Sequence, residues 1–298
     1  MRSAVVGTVA VITLSLGTSC SRQQVGGDKQ SETQTQKQSV TVKGSDTMVH
    51  LASTWAETFM QAHPEIEVAV TGGGSGTGIA ALLNGTTDIC AASRKMKEKE
   101  NDLAAEKSID PKEFVVARDG IAVVINPENP IKALTLEQIR KIYTGEYKSW
   151  SQVGGPDDQI VVLSRESSSG TYVFFQEHVL EKKDYRQDAR LMPATSAIIQ
   201  SVSADKWSIG YVGLGYAVEA GEKAKMLGVK VDDEAAVVMP SEKTVDSGEY
   251  SIARPLHLYT AGDPQGSVKE FIDFCLGPEG QKIVRETGYV PLRNNAGQ

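Results

Sequence analysis

Residues that commonly bind metals are scarce in this sequence. It has four histidines in 298 residues, and no two of them are spaced as a ligand pair. Its three cysteines, Cys20, Cys90 and Cys275, also lie far apart. Because structural zinc sites use closely spaced cysteines and histidines, we expect neither a bound metal nor a cofactor.

The sequence has fewer positively charged than negatively charged residues. Lysine and arginine total 31 against 38 aspartates and glutamates, which gives a formal net charge of −7. Nucleic-acid-binding proteins neutralise phosphates with a basic surface, so we exclude nucleic acid as a partner. The length and the 40% hydrophobic composition fit one large or two medium-sized soluble domains.

The N-terminal apolar run, residues 4–16, is too short for a stable transmembrane helix but is typical of a secretory signal. Small residues then lead to Cys20, as in the lipobox of bacterial lipoproteins, although Gly17 stands where leucine is usual. We expect residues 1–20 to be a lipoprotein-type signal peptide with Cys20 lipidated. The alternative is plain cleavage, with Cys20 left as a thiol.

Residues 21–39 contain one large apolar residue, Val25, and cannot bury enough surface to offset their ordering entropy. We interpret them as a flexible tether that holds a domain outside the inner membrane. The other two cysteines, Cys90 and Cys275, either form a disulfide or are small core residues, because each lies in an apolar context.

From Val40 onward, strand patterns alternate with helical patterns, which indicates an α/β fold. Leu51, Trp55 and Phe59 recur every four residues on one helical face that ends before Pro64. Further strands are expected at residues 39–44, 65–70, 114–130, 160–166 and 254–262, and further helices at residues 77–83, 134–145 and 267–277.

Three loops of similar composition each follow a strand and open a helix. They are residues 44–47 (GSDT), 73–77 (GGSGT) and 167–171 (SSSGT). Ser, Thr and Asp are favoured N-caps, so each loop alone could simply cap a helix. Helix N-termini also present free N–H groups and partial positive charge, and glycine lets an anion approach. Together with Arg165, the three loops predict a shared oxyanion site.

Three enzyme or nucleotide-binding motifs that the glycine-rich stretch could suggest do not fit the sequence well. The glycine-rich stretch lacks the Lys-Ser/Thr of a P-loop, since Ile79 follows Gly78. Its match to a dinucleotide fingerprint is weak, because the helix stops by Asn84 and no acidic residue follows at the expected distance. A serine-hydrolase elbow fails because Thr77 replaces the final glycine. We therefore expect no enzyme activity.

The sequence resembles the phosphate-binding proteins of Pst-type ABC transporters, which are periplasmic solute-binding proteins. The resemblance is carried, in order, by GSDTM, TGGGSGTGIAALLNGTTDICAASRKMKEKE, SRESSSGTY and SIGYVGLGY, and it extends to GPEGQKIVRETGYVPL. It implies an α/β, type II-like periplasmic-binding-protein fold with a ligand cleft between two α/β sandwich domains. Domain I would comprise residues 40–118 and 254–298, domain II residues 119–253, and the hinge would lie near residues 117–121 and 251–255.

The resemblance also implies a function. The protein would be a monomer that captures inorganic phosphate by domain closure and delivers it to an ABC permease at the extracytoplasmic face of the membrane. Thr47, the Met48 amide, Ser75, Arg165, Ser169, Gly170 and Thr171 match the family's phosphate contacts. Ser45 either contacts the ligand or forms a loop or capping hydrogen bond.

One position departs from the family pattern. Better-studied members carry an aspartate that accepts the proton of phosphate and thereby rejects sulfate. Here Ser93 and Arg94 occupy that place. Either Ser93 or Asp46 could accept the proton instead, whereas Asp46 could also be a simple N-cap. A binder of sulfate, molybdate or another tetrahedral oxyanion therefore remains an alternative, and a phosphatase is a more distant one.

Overall fold

The computed structural model describes residues 38–293. The predicted signal peptide, the lipidation site Cys20 and residues 21–37 of the predicted tether lie outside them. The first strand begins at Gln38, so the predicted tether is two residues too long. Gln38 and Ser39 pair with Ile66 and Glu67, and because strand pairing uses the backbone, polar side chains do not prevent it.

The elements form two lobes joined by two strands. Lobe I contains β1 (Gln38–Gly44), α1 (Val49–Ala62), β2 (Ile66–Thr71), α2 (Ser75–Leu83), β3 (Ile89–Ala92), α3 (Glu98–Glu106), α9 (Gly266–Leu276) and α10 (Pro278–Glu286). The linking strands are β4 (Lys112–Ile125) and β11 (Ala253–Thr260).

Lobe II lies between the linking strands in sequence. It contains β5 (Ala133–Thr135), α4 (Leu136–Thr144), β6 (Val161–Arg165), α5 (Gly170–His178), β7 (Arg190–Met192), α6 (Thr195–Ala204), β8 (Ser208–Gly213), α7 (Leu214–Ala220), β9 (Lys225–Met226), β10 (Gly228–Lys230) and α8 (Glu242–Ser247). Short 3₁₀ turns span Asp46–Met48, Trp150–Val153 and Gly221–Lys223.

One mixed sheet runs through both lobes in the order β2-β1-β3-β11-β4-β8-β6-β7, with β9 also paired to β4. Strands β1, β2 and β3 are parallel, whereas β11 is antiparallel to both β3 and β4. A register shift between Leu256 and His257 interrupts the β11–β4 ladder. The predicted α/β architecture is confirmed, and strand pairing continues from one lobe into the other.

Each lobe has its own hydrophobic core. Trp55, Phe59 and Phe271 are buried in lobe I, where the Trp55 indole donates to the carbonyl of Gly280 at 2.8 Å. In lobe II the rings of Phe175 and Tyr211 stack with centroids 4.1 Å apart. The apolar face predicted for the first helix is thus confirmed, as is the return of the C-terminal strand and helix to lobe I. No helix between residues 38 and 293 is long and apolar enough to cross a membrane.

Candidate functional site

Three loops from the two lobes meet between them. Loop 1 is residues 44–48 after β1, loop 2 is residues 72–77 after β2, and loop 3 is residues 166–171 after β6. The Gly74 amide donates to the Gly44 carbonyl at 2.8 Å within lobe I. The Gly76 amide donates to the Ser168 carbonyl at 2.9 Å, across the cleft. The structure therefore brings together the loops that the sequence singled out, with the cleft closed around them.

Three serine hydroxyls of lobe I form a buried cluster. Ser45 Oγ donates to Ser93 Oγ at 2.9 Å, and Ser75 Oγ lies 3.3 Å from Ser93 Oγ. The Ser93 amide donates to Ser75 Oγ at 3.0 Å. Ser45 makes no capping hydrogen bond with its side chain, so the capping interpretation of Ser45 is wrong. The Ser45 hydroxyl bonds instead to Ser93, the residue that follows β3.

Gly170, the first residue of α5, lies against this cluster from lobe II. A Cβ atom at Gly170 would come 2.3 Å from Ser75 Oγ and 2.6 Å from Ser93 Oγ. Those distances are far below van der Waals contact, so only glycine allows the N-terminus of α5 to approach so closely. The backbone of lobe II and the serine hydroxyls of lobe I can thus face the same small volume.

A pair of threonines also bridges the lobes. Thr47 Oγ1 in loop 1 lies 2.7 Å from Thr171 Oγ1 in α5, and both residues are almost completely buried. Two hydroxyls at this distance share one hydrogen bond, which leaves the second proton for another acceptor. The pair can therefore donate to an anion between the lobes.

Arg165, at the end of β6, is buried and fully oriented by its neighbours. Its Nη2 donates to Asp46 Oδ2 at 2.7 Å, Nη1 donates to Thr195 Oγ1 at 2.8 Å, and Nε donates to the Met192 carbonyl. Asp46 Oδ1 also accepts from the Gly73 amide at 3.0 Å. Asp46 therefore joins loops 1 and 2 to Arg165, and its interpretation as a simple N-cap is wrong.

Arg94 follows β3 and is held by Glu100 of α3. Its two terminal nitrogens each donate to one oxygen of the Glu100 carboxylate at 2.7 Å. Burial tends to raise the pKa of Glu100, but the hydrogen bonds from Arg94 and from the Lys97 amide outweigh it and lower the pKa below its usual value. Arg94 is thus placed beside loop 2, with its charge largely compensated.

The remaining predicted site residues have local roles as well. Ser169 caps α5, since its Oγ accepts from the Tyr172 amide at 3.3 Å. The Met48 amide is already bonded to the Ser45 carbonyl at 2.9 Å, and the Met48 side chain is buried in the lobe I core.

Cys90 and Cys275 are buried free thiols, so the disulfide alternative is wrong. Burial raises the pKa of the Cys90 thiol well above its ordinary value.

Two charged residues at the site were missed by sequence reasoning. Asp119 of β4 and Arg254 of β11 form an ion pair, with Arg254 Nη2 3.0 Å from Asp119 Oδ2, directly beneath the threonine pair. The available signal was a charged Arg118–Asp119 dipeptide between the apolar runs 114–117 and 121–125 of one strand. Burial raises the pKa of Asp119, and the Arg254 charge opposes that rise.

A cavity of about 370 Å³ adjoins the site on one side. It is lined by both lobes and by β11, and the basic residues among its lining are Arg94, Lys95, Lys97, His178, Arg254 and His257. Glu177 is its one acidic lining residue. Arg94 and Arg254 are paired with Glu100 and Asp119, so Lys95 and Lys97 supply the positive charge of this approach, in contrast to the net charge of −7 of the whole chain.

Comparison with known proteins finds one family model, described as a PBP superfamily domain, that matches residues 29–279. A phosphate-binding protein PstS from Staphylococcus haemolyticus is 35% identical over 254 residues, which cover 83% of this chain and 79% of that protein. The PstS of Staphylococcus aureus strain USA300 is 34% identical over 253 residues, covering 83% of this chain and 76% of that protein.

Two solved structures of phosphate transport proteins are also similar to this chain. A phosphate ABC transporter substrate-binding protein from Clostridium perfringens, solved with bound phosphate, superposes with a TM-score of 0.77 at 31% identity and covers 86% of this chain and 100% of that one. An ABC-type phosphate transport receptor from Vibrio cholerae gives a TM-score of 0.68 at 29% identity, covering 85% and 100%.

Proposed function

Because this chain belongs to the PBP superfamily, and within it to the family of its staphylococcal phosphate-binding relatives, we propose that it captures inorganic phosphate for an ABC transporter. It is a substrate-binding transport protein and not an enzyme. The site would take the anion as a compact tetrahedral ligand and release it to the membrane permease. The bound phosphate in the Clostridium perfringens structure, at 31% identity, supports this choice of ligand.

The meeting of hydroxyls from both lobes is the observation that carries the proposal. The hydroxyl oxygens of Thr47 and Thr171 lie 2.7 Å apart, and Ser45, Ser75 and Ser93 are each no more than 3% exposed. Buried hydroxyl and amide donors stabilise an anion through short-range dipoles, so the ligand needs few uncompensated charges. A tetrahedral oxyanion offers acceptors in the several directions from which these donors come.

Domain closure would be the mechanism. In an open form, loops 1 and 2 would bind the anion first, and loop 3 would then close over it. The closed form gains the Arg165–Asp46 ion pair and the Gly76–Ser168 hydrogen bond, both of which join the lobes. A ligand that contacts both lobes shifts the equilibrium toward closure by the difference between its affinities for the two forms.

Selectivity for phosphate over sulfate would rest on hydroxyls. Asp46, Glu100 and Asp119, three carboxylates at or beside the site, each bind an arginine. Ser93 Oγ, which already accepts from Ser45, is the candidate acceptor for the proton of phosphate. A hydroxyl rejects a fully ionised anion less strongly than a carboxylate does, so the alternative ligands sulfate and molybdate must be tested directly.

The proposal also covers the location of the protein, its membrane anchor and its domain boundaries. The domain would lie on the extracytoplasmic side as a monomer, with Cys20 lipidated and residues 21–37 as the tether. Residues 40–118 with 254–298 would move as one domain and residues 119–253 as the other. Labelling with a radioactive fatty acid, compared between the native chain and Cys20→Ser, tests the anchor.

Calorimetric titration of the ligand-stripped protein with phosphate, sulfate and molybdate at pH 6 and pH 8 tests the ligand. We expect phosphate to bind with a Kd of about 1 μM or below, and sulfate and molybdate to bind at least about tenfold more weakly. Tighter binding of sulfate or molybdate would instead assign the site to that anion. Absence of binding by all three would reject the proposal.

A further inference from the structure

The ion pair between Asp119 and Arg254 lies on the two linking strands, which pair side by side between the lobes. The two residues are direct partners in the β4–β11 ladder, and their side chains are 0% and 1% exposed. Asp119 is held in place a second time, because its Oδ1 accepts from the Leu214 amide at 3.0 Å. Burying two charges is costly, and an apolar pair of similar volume is often no less stable. Stability alone therefore does not explain the pair.

Arg254 also contacts one hydroxyl from each lobe. Its Nη2 donates to Thr171 Oγ1 at 2.9 Å and lies 3.4 Å from Thr47 Oγ1. A hydroxyl that accepts from a guanidinium must direct its own proton elsewhere. One threonine proton is used in the hydrogen bond between the two hydroxyls, so Arg254 directs the remaining proton toward the space between the lobes, where an anion can accept it.

The other terminal nitrogen, Arg254 Nη1, is buried and has no hydrogen-bond partner among the described residues. The terminal nitrogens of Arg165 and Arg94 are all bonded to protein oxygens, and the unpartnered buried nitrogen of Arg94 is its Nε. An arginine cannot lose its proton to avoid an unpaired buried donor. A ligand oxygen beside Thr47 and Thr171 would supply the missing acceptor.

We propose that Arg254 is a phosphate-binding residue that the linking strand supplies to the closed site, and that Asp119 positions it. The inference rests on the proposed function, because it requires an oxyanion between Thr47 and Thr171. The guanidinium would donate to the anion through Nη1 and, through Nη2, direct the remaining threonine proton toward it. Because Arg254 belongs to neither lobe's loops, it would remain near the ligand in the open form as well.

Phosphate titration of paired variants tests the inference. Asp119→Leu combined with Arg254→Met replaces the ion pair by apolar side chains of similar volume and leaves no buried charge behind. We expect this double variant to keep the ligand-free melting temperature within a few degrees but to bind phosphate at least about 30-fold more weakly, as expected for loss of a hydrogen bond from a charged donor. Arg118→Met, which removes the neighbouring and half-buried arginine of β4, is the control and should bind normally.

Arg254→Lys covers the case in which the double variant fails to fold. Lysine keeps the charge beside Asp119, but one ammonium group cannot reach the carboxylate, the threonine and the anion together. We expect it to fold and to lose at least about tenfold in phosphate affinity. A folded double variant or Arg254→Lys that binds phosphate as the native chain does would overturn the inference. Absence of phosphate binding by the native chain would instead reject the proposed function.

Discussion

Asp46 and Arg165 form an ion pair across the cleft, with Oδ2 of one 2.7 Å from Nη2 of the other. Asp46 belongs to lobe I and Arg165 to lobe II, so the contact exists only when the lobes are together. Both side chains are largely buried, at 14% and 3% exposure. The pair thus links the position of the arginine to the closure of the protein.

Asp46→Asn should weaken phosphate binding about tenfold without changing the ratio of phosphate to sulfate affinity. The variant retains an oxygen and an amide at this position but loses the charge that holds Arg165, so the closed form loses stability. Titration with both anions measures the ratio, and small-angle scattering at saturating phosphate measures closure.

Asp110→Asn is the control for that experiment, because Asp110 is exposed and pairs with Lys112 at the start of β4 at 2.6 Å, away from the cleft loops. A fall in the phosphate-to-sulfate ratio for Asp46→Asn, and not for the control, would identify Asp46 as the proton acceptor and contradict the proposed role of Ser93.

Gly170→Ala should prevent closure while leaving the fold intact. The new methyl group would lie 2.3 Å from Ser75 Oγ, an atom of the opposite lobe, so the lobes must separate to accommodate it. We expect at least about a 100-fold loss of phosphate affinity, equivalent to about 3 kcal/mol, with little change in the ligand-free melting temperature. Titration and thermal melting are the two measurements.

Gly262→Ala provides a matched control, because a Cβ at Gly262 would meet nothing within 4 Å. Normal phosphate affinity in Gly170→Ala would show that the N-terminus of α5 does not approach the serine cluster as closely as the structure indicates.

Glu100→Gln should lower the free energy of unfolding at neutral pH by about 1–3 kcal/mol, since Arg94 would lose its charged partner. The pKa of Glu100 is lowered in the folded protein, so its contribution to stability is present above the ordinary value of 4.5 and is lost as the pH falls through the lower folded value. Urea unfolding from pH 3 to pH 7 measures both effects.

The difference between the native chain and Glu100→Gln should therefore shrink toward acid pH. Glu98→Gln, an exposed change in the same helical turn, should show a much smaller effect. A Glu100→Gln effect that stays constant down to pH 3 would mean that the carboxylate charge does not stabilise the fold.

Lys95→Gln should slow phosphate association about two- to threefold at low salt and have little effect at about 0.5 M salt. Lys95 is exposed at the basic cavity beside the site, where it can attract the dianion without binding it in the closed form. Stopped-flow fluorescence measures the rate. The control is Lys282→Gln on α10, whose side chain is 72% exposed. Equal rates for both variants at every salt concentration would contradict the steering role.

Local patterns made much of this molecule predictable. The four-residue spacing of Leu51, Trp55 and Phe59 determines which face of α1 is buried, and that signal needs no knowledge of distant residues. The glycine- and hydroxyl-rich loops were equally visible, since each follows a strand and opens a helix. Such local patterns predict which residues a loop contains and which helices and strands flank it.

The charge pairing of the site was not predictable in this way. Asp46 and Arg165 are 119 residues apart in sequence, and Asp119 and Arg254 are 135 apart. Their pairing depends on which strands become neighbours, and a strand order such as β3-β11-β4 brings together segments from opposite ends of the chain. Arg254 gave no signal of its own, because an arginine before a proline at the start of a strand also fits an exposed position.

The pairing of β4 with β11 has a consequence for the modularity of the chain. Gly120 and Ala253 are direct partners in this ladder, so the 132 residues between them leave and return at adjacent points. Antiparallel partners lie about 5 Å apart, a distance that a tight turn can close. Lobe II is therefore a continuous insertion between the two linking strands, β4 and β11. It could be exchanged for the corresponding segment of a relative, or replaced by a turn, without rerouting the rest of the chain.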